Sequence, residues 1–220
     1  MTDIYQAYKL FHEGTLALAE IERQGMVIDY AYIANKKLEI DNQVTNLENE
    51  FYGTKFYKDW KKAVKTTINI YSHTQLSKYL YETKRIKIKK QTNTGKGATD
   101  EEALSVLNIP ELDILSRIMK LKKIRDTYLD SFEREQVNGV MHPFFNLNLV
   151  RSYRSSSSNP NFQNIPRRDK ESMNICRQAI YPRKGNQLVE FDFKQLEVRI
   201  AACYTKDEKL IYDILHGDMH

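Results

Sequence analysis

The sequence predicts an α+β protein, mainly helical over residues 1–138 and built on short antiparallel strands over 139–220. Two observations carry this. Apolar residues recur at three- and four-residue steps through 4–24, 31–52 and 112–132, the period of helices that bury one face. Beyond residue 138 the period falls to two, in Phe145-Asn146-Leu147-Asn148-Leu149 and in Leu188-Val189-Glu190-Phe191-Asp192-Phe193, as half-buried strands require. At 220 residues the chain is long enough for one large or two small domains with a real core.

The first helix, with Ile4, Tyr8, Phe11, Leu18 and Ile21 on its apolar side, ends at Gly25, and Gly25–Asp29 turns into a short extended piece. Asp29 caps the second helix, whose apolar positions are Ile33, Leu38, Ile40, Val44, Leu47 and Phe51. Ser72 with Gln75, and Thr99 with Glu102, have capping-box spacing. Between them lies a basic, turn-rich stretch, Lys84 to Lys96. The third long helix shows Leu115, Ile118, Leu121, Ile124, Tyr128 and Leu129 on one face, and Val137-Asn138-Gly139-Val140 is a hairpin turn. After residue 193 the period lengthens again through Leu196, Ile200 and Cys203, and Asp207 caps a last helix through Leu210, Ile211 and Ile214.

Composition narrows the function classes. Apolar residues make up 41% and no apolar run reaches the ~18 residues of a membrane span, so no membrane partner is expected. The N-terminus lacks the layout of a signal peptide. Two cysteines, Cys176 and Cys203, give neither a disulfide framework nor metal-ligand spacing, and a reducing cytoplasm is the expected compartment. The net charge of +5 is unevenly spread. Residues 1–54 hold 4 Lys+Arg against 9 Asp+Glu, residues 55–125 hold 17 against 7, and residues 150–184 hold 8 against 2. Basic blocks of this size point to a polyanion.

Asp192 stands at the end of a predicted strand, just before a turn into a helix. That is a poor place for a core residue and a good one for a metal ligand, because the strand aims the carboxylate while its oxygens stay open. Glu197 follows in the first helical turn.

The string Asp192-Phe193-Lys194-Gln195-Leu196-Glu197-Val198-Arg199 closely resembles motif A of family A DNA polymerases, within a segment spanning 188–202. Other stretches extend the resemblance over nearly the whole chain. Gly25-Met26-x-x-Asp29 and Asn69-x-x-Ser72-x-x-Gln75-Leu76 are similar to segments of the family's thumb. Thr94-Gly95-Lys96-x-x-Thr99 resembles its tip loop, and Lys123-Ile124-Arg125-Asp126-Thr127-Tyr128 its "K-L-K-S-T-Y" element. Ser152 to Pro166, the 151–166 block, resembles "T-G-R-L-S-S-x-x-P-N-L-Q-N-I-P", with Tyr153 in place of the family's Gly and Ser155 in place of its Leu. Arg177-x-Ala179-Ile180-x-Pro182-x-x-Gly185 and the terminal Gly217-Asp218-Met219-His220 complete it.

The resemblance implies a helical thumb over 1–138, its DNA-gripping tip near 84–100, and a partial antiparallel-sheet palm over 139–220. It implies that Thr94, Gly95, Lys96, Lys123, Arg125 and Thr127 hold the backbone of primer-template DNA, and that Arg154, Asn161, Gln163 and Asn164 meet its minor groove. Asn and Gln suit that groove because they donate and accept, so they check shape without reading sequence. The implied catalytic residues are Asp192, ligand to two Mg2+ ions, and Glu197, which crowds the sugar 2′ position. The Phe193 carbonyl completes one metal shell, while Lys194, Gln195 and His220 meet the deoxynucleoside triphosphate. Two ions in such a site clamp the attacking and leaving oxygens of an in-line displacement.

These 220 residues contain no fingers helix and no later His-Asp-Glu strand. The expected enzyme is therefore a DNA-directed DNA polymerase of phage or bacterial type, as part of a longer or two-chain protein with a complementary polymerase chain. The isolated chain is expected to be inactive. The alternatives are a DNA-binding remnant of a polymerase and a fragment of a single-subunit RNA polymerase.

Overall fold

The computed structural model of the protein describes residues 3–64, 67–151 and 154–217. They fall into two compact units, Met1–Pro182 and Arg183–His220. The fold is α+β, mainly helical with small antiparallel sheets.

The first unit is organised by two helices, α2 (Tyr30–Gly53) and α6 (Pro110–Lys123). Asp29 caps α2, accepting the Tyr32 N–H at 2.9 Å. Ile33, Ile40, Val44 and Phe51 of α2 are buried, as are Leu112, Leu115, Ile118 and Leu121 of α6, and the two helices pack together. Each such side chain contributes about 1.5–3 kcal/mol relative to exposure. Leu38, expected on this face, is 62% exposed, one position off the stripe.

The apolar positions of α6 advance by threes, which drifts around a helix of 3.6 residues per turn. The drift is corrected where α6 runs into a π-helical turn, Ile124–Leu129, and then into α7 (Asp130–Arg134). The wider turn brings Leu129 and Phe132 back to the core after Ile124. The helix also begins at Pro110, earlier than its periodicity indicated, with proline in the first turn where its missing N–H costs nothing.

Around this seam pack α3 (Lys55–Ala63), α4 (His73–Ser77), α5 (Glu101–Ser105) and α8 (Lys170–Gln178). Before α8, a π-helical turn, Lys78–Thr83, continues α4 and carries Tyr79 onto Trp60 of α3. Their rings stack 5.5 Å apart, and Phe56 meets Tyr79 edge-on at 5.3 Å. Asp169 caps α8 and receives Lys120 of α6 at 2.6 Å, while Arg117 forms a two-pronged ion pair with Glu171.

The first helix, α1 (Ile4–Gln24), has the predicted limits but a different inner face. Ile4, Tyr8 and Ile21 are exposed, and the half-buried positions are Ala7, Phe11, Gly14, Leu18 and Glu22. After Gly25, β1 (Met26–Val27) pairs with β3 (Val140–Met141), which pairs with β2 (Gln136–Val137). The β2–β3 turn has Asn138 at φ 53° and Gly139 at φ 79°, the pair of positive values that a two-residue hairpin needs. The next strand, β4 (Phe144–Asn146), is shorter than the alternation through Leu149 and pairs with β5 (Ser156–Ser158) in the serine run.

Both expected capping boxes are incomplete. Ser72 accepts the Gln75 N–H, but the Gln75 carboxamide oxygen accepts from Asn69 instead. At α5 the cap is Asp100, which accepts from Ala103, and Thr99 is drawn inward to His73.

The second unit contains α9 (Leu196–Thr205) and α10 (Glu208–His216), capped by Asp207 as expected. The strand expected at 188–193 does not form. Strand N–H and C=O groups need a neighbouring strand, and none pairs with this stretch among the described residues. Val189, Phe191 and Phe193 are accordingly exposed at 82%, 84% and 68%.

Acid should loosen the α6–α8 junction first. Burial raises the Asp169 carboxyl, but hydrogen bonds from Lys120 and Ser172 outweigh it and hold the group down at about 2, from 3.8. A depressed carboxyl stabilises the fold above its unfolded value, and that contribution is lost as pH falls from about 4 towards 2. Urea midpoints measured across that window should fall for the parent and fall less for Asp169→Asn, which starts from a lower midpoint.

Candidate functional site

The tip is built as a pinned loop. Gln91 bridges Gly97, the Thr92 N–H donates to the Lys96 carbonyl at 2.8 Å, and the Gly95 N–H donates to the Thr92 carbonyl at 2.9 Å. Thr94, Gly95 and Lys96 stand exposed at its end. Its base is clamped to the helix behind it: Ser77 Oγ donates to the Gly97 carbonyl at 2.9 Å, and the Tyr81 hydroxyl to the Ala98 carbonyl at 2.6 Å. Gly97 lies flat on the Tyr81 ring, where a Cβ would overlap ring carbons.

Two hollows flank this loop. One, of about 570 Å3, is lined by Thr92, Thr94, Lys96, Ser77 and Ile88. The other, of about 490 Å3, is lined by Ser116, Lys120, Lys123, Tyr128 and Pro166. Both include His73 and Thr99, whose Nδ1 and Oγ1 are 3.0 Å apart, so the hollows adjoin at this pair as a groove in two parts. The hydroxyls, lysine ammoniums and histidine suit anionic oxygens, set among the carboxylates of Glu82 in the first hollow and of Asp100, Glu101 and Asp169 in the second.

The three helix residues expected to act together are separated. Lys123 is exposed, lines the groove, and has no ion-pair partner among the described residues. Arg125, two positions on, faces α2, with Nε 2.8 Å from Asp41 and Nη1 2.8 Å from Asp126. Thr127 is exposed. Lys120, which the sequence did not single out, joins Lys123 in the groove although Asp169 and Glu171 hold its charge. His73 was also missed, and its place directly after the Ser72 cap was the available signal.

In the 151–166 block, Arg154, Asn161, Gln163 and Asn164 are all exposed. Phe162 and Ile165 pack on the core, so a single 3-10 turn at Phe162–Asn164 presents the polar residues between them. Buried Ser157 organises the turn: its Oγ accepts the Gln163 N–H at 2.9 Å and donates to Asn161 Oδ1 at 3.3 Å. Gln163 Nε2 donates to Ser155 Oγ at 2.9 Å. The serine that replaces an apolar family residue thus fixes a side chain of the block. Tyr153 lies outside the described residues.

In the second unit, Asp192 and Phe193 are exposed on irregular chain, and Lys194–Gln195 makes the turn into α9 with Gln195 at φ 54°. Arg199 Nε closes this turn on the Lys194 carbonyl at 2.8 Å. Glu197 is exposed in the first turn of α9, and His220 lies outside the described residues. No group of three or more His, Cys, Asp or Glu side chains comes together among the described residues. By themselves the described residues, with the single carboxylate of Asp192 at this turn, do not fit a pair of divalent ions. The buried Cys176 thiol, pushed up to about 12 by burial, is no nucleophile.

A helical body with a hydroxyl- and lysine-lined groove, beside small antiparallel sheets, has the fold of a nucleic-acid polymerase domain. Its shape matches a solved structure, the POL domain of Pol1 from M. smegmatis in complex with DNA primer-template and dNTP. The TM-score is 0.75 and the identity 27%, over 92% of this chain and 35% of that one. Residues 31–220 match the model of DNA polymerase family A, and the chain belongs to that family. It is 32% identical to DNA polymerase I of Pseudomonas aeruginosa over 92% of this chain and 22% of the relative. It is likewise 32% identical to the thermostable DNA polymerase I of Thermus thermophilus, over 92% and 24%. The chain thus spans about a quarter of the length of these curated relatives.

The contact at Gly97 predicts that Gly97→Ala, by overpacking, costs about 1–3 kcal/mol in a denaturant titration. Removing the ring as well, in Gly97→Ala/Tyr81→Ala, should cost less than the two single changes added together.

Proposed function

We propose that the chain holds primer-template DNA and supplies one catalytic carboxylate to a template-directed DNA polymerase, working in a reducing cytoplasm. The observation that carries this reading is the pair of hollows that adjoin at His73 and Thr99, one lined by Lys123 and the other by Thr94 and Lys96, within residues matched to the family. Residues 1–138 act as the thumb, with the tip at 84–100, and residues 139–220 as part of the palm. The solved relative holds a DNA primer-template and dNTP, and both ligand classes are carried over to this chain.

In this reading Lys123 and Lys96 neutralise backbone phosphates while Thr94, the Gly95 amide and Thr127 donate to them. Arg154, Asn161, Gln163 and Asn164 meet the minor groove. Asp192, with the Phe193 carbonyl, contributes oxygen donors to Mg2+ sites completed by carboxylates outside this sequence. Glu197 crowds the sugar 2′ position, and Lys194, Gln195 and His220 meet the triphosphate. A complementary polymerase segment or chain supplies the fingers.

Two measurements test this. In salt titrations of duplex binding, Lys123→Ala should reduce the log–log slope by about 1. Arg125→Ala should change it less, because Asp41 and Asp126 already neutralise Arg125. Equal losses would mean that Arg125 leaves Asp41 when DNA binds.

In primer extension, the 220-residue chain should be inactive alone and active when supplied with a fingers and second-aspartate polypeptide. Asp192→Asn should abolish that synthesis with DNA affinity unchanged within about twofold, since the carboxylate acts on the transition state. Glu197→Ala should raise ribonucleotide use relative to deoxyribonucleotide use. Robust extension by Asp192→Asn would remove this residue from catalysis, and an unchanged sugar ratio would remove Glu197 from its role.

A further inference from the structure

The helix α3 carries charge that the rest of the fold does not use. Phe56 and Trp60 are buried on its inner side. Its outer side holds Lys55, Lys58, Lys61 and Lys62, all exposed, and none has an ion-pair partner among the described residues. At ~100° per residue the four fan over ~120° opposite the buried pair. Asp59, the helix's one carboxylate, stands at the edge of that face, 3.5 Å from Lys84.

Other helices of the protein set a cation against an acid three or four residues away, as in Lys9–Glu13, Lys36–Glu39 and Lys209–Asp213. On α3 those spacings join lysine to lysine, at 55–58, 58–61 and 58–62. Like charges so placed oppose the helix. The helix dipole favours Lys61 and Lys62 in the last turn, and Lys58 Nζ donates to the Gly53 carbonyl at 2.7 Å. Lys55, in the first turn, gains from neither. A polyanion laid along this face would remove the repulsion.

Aromatic rings flank the same lysines. Tyr57 lies one turn before Lys61, and its ring is 4.8 Å from that of Tyr52 at the end of α2. Tyr52 is 38% exposed, so an open ring stands beside the cations. This pairing suits an unpaired strand. Ammonium groups track its phosphates, and the ring takes a base whose π-face is free only outside a duplex.

The position is separate from the groove. Trp60 stacks on Tyr79, whereas Ser77, Lys78, Tyr81 and Glu82 of that same helical run line the tip hollow on its other side. The lysines, opposite Trp60 on α3, therefore face away from the hollow.

We propose that the outer face of α3, together with Tyr52, is a second nucleic-acid site, and that it takes single-stranded DNA. The lysines pair with successive phosphates while Tyr52 stacks on a base, so the site has no sequence preference. It goes beyond the groove reading and does not depend on it.

The test is fluorescence anisotropy with the whole chain, an oligo-dT of about 15 nucleotides and a blunt duplex of about 24 base pairs, between about 50 and 200 mM salt. Lys55→Gln/Lys61→Gln/Lys62→Gln, which leaves Lys58 on Gly53, should flatten the log–log slope for oligo-dT by about 2 and leave the duplex slope unchanged. Arginine at the same three positions should restore the parent's slope. Tyr52→Ala should weaken oligo-dT binding about tenfold at an unchanged slope, since stacking releases no counterion, and Tyr52→Phe should bind like the parent. A glutamine variant that titrates like the parent on oligo-dT overturns the site, as does unchanged affinity in Tyr52→Ala. Equal slope losses on strand and duplex overturn the single strand as occupant. Poly-glutamate competing as well as oligo-dT at equal charge overturns nucleic acid altogether. Lys123→Ala reads the groove on the duplex alone, so either reading can fail without the other.

Discussion

The α2–α6 seam is the interaction on which the first unit depends. It buries Ile33, Ile40, Val44 and Phe51 against a helix whose own stripe, Leu112 to Leu121, steps by three. Such a stripe would wind off the seam within a few turns. The π-helical turn at Ile124–Leu129 returns it to the core, and in doing so it sets the directions of the side chains around it. Arg125, inside that turn, faces Asp41 of α2, while Lys123, just before it, lines the groove.

The groove follows from the same packing. Tyr79 stacked on Trp60 fixes the helix that holds Ser77 and Tyr81, and these two clamp the tip through Gly97 and Ala98. The tip's threonines and lysine therefore stand on a rigid support. Charge is sorted in the same way. Lys37, Lys90, Arg117 and Lys120 have acidic partners that join elements of the fold, while Lys123 has none among the described residues.

The second unit shows the opposite condition. Its two helices are well capped, yet α9 buries only Ala202 and α10 only Ile214. The apolar residues at 188–193 alternate correctly for a strand, but alternation specifies a face, whereas a strand also needs a neighbour for its backbone groups. Asp192 is thereby left on irregular chain with its position along the sequence intact.

By itself the sequence determined the features set within one turn of chain. The limits of α1 and α2, the Asp29 and Asp207 caps, the Asn138-Gly139 hairpin and the order of the family's motifs were all legible, because periodicity, capping and turn chemistry are local. Tertiary structure decided what depends on distant partners. Asp41 takes Arg125, His73 draws Thr99 away from the cap of α5, and α1 turns Phe11 and Leu18 inward rather than Ile4 and Tyr8. Each depends on a residue far along the chain, and a charge or a face acquires its role only when that neighbour is in place.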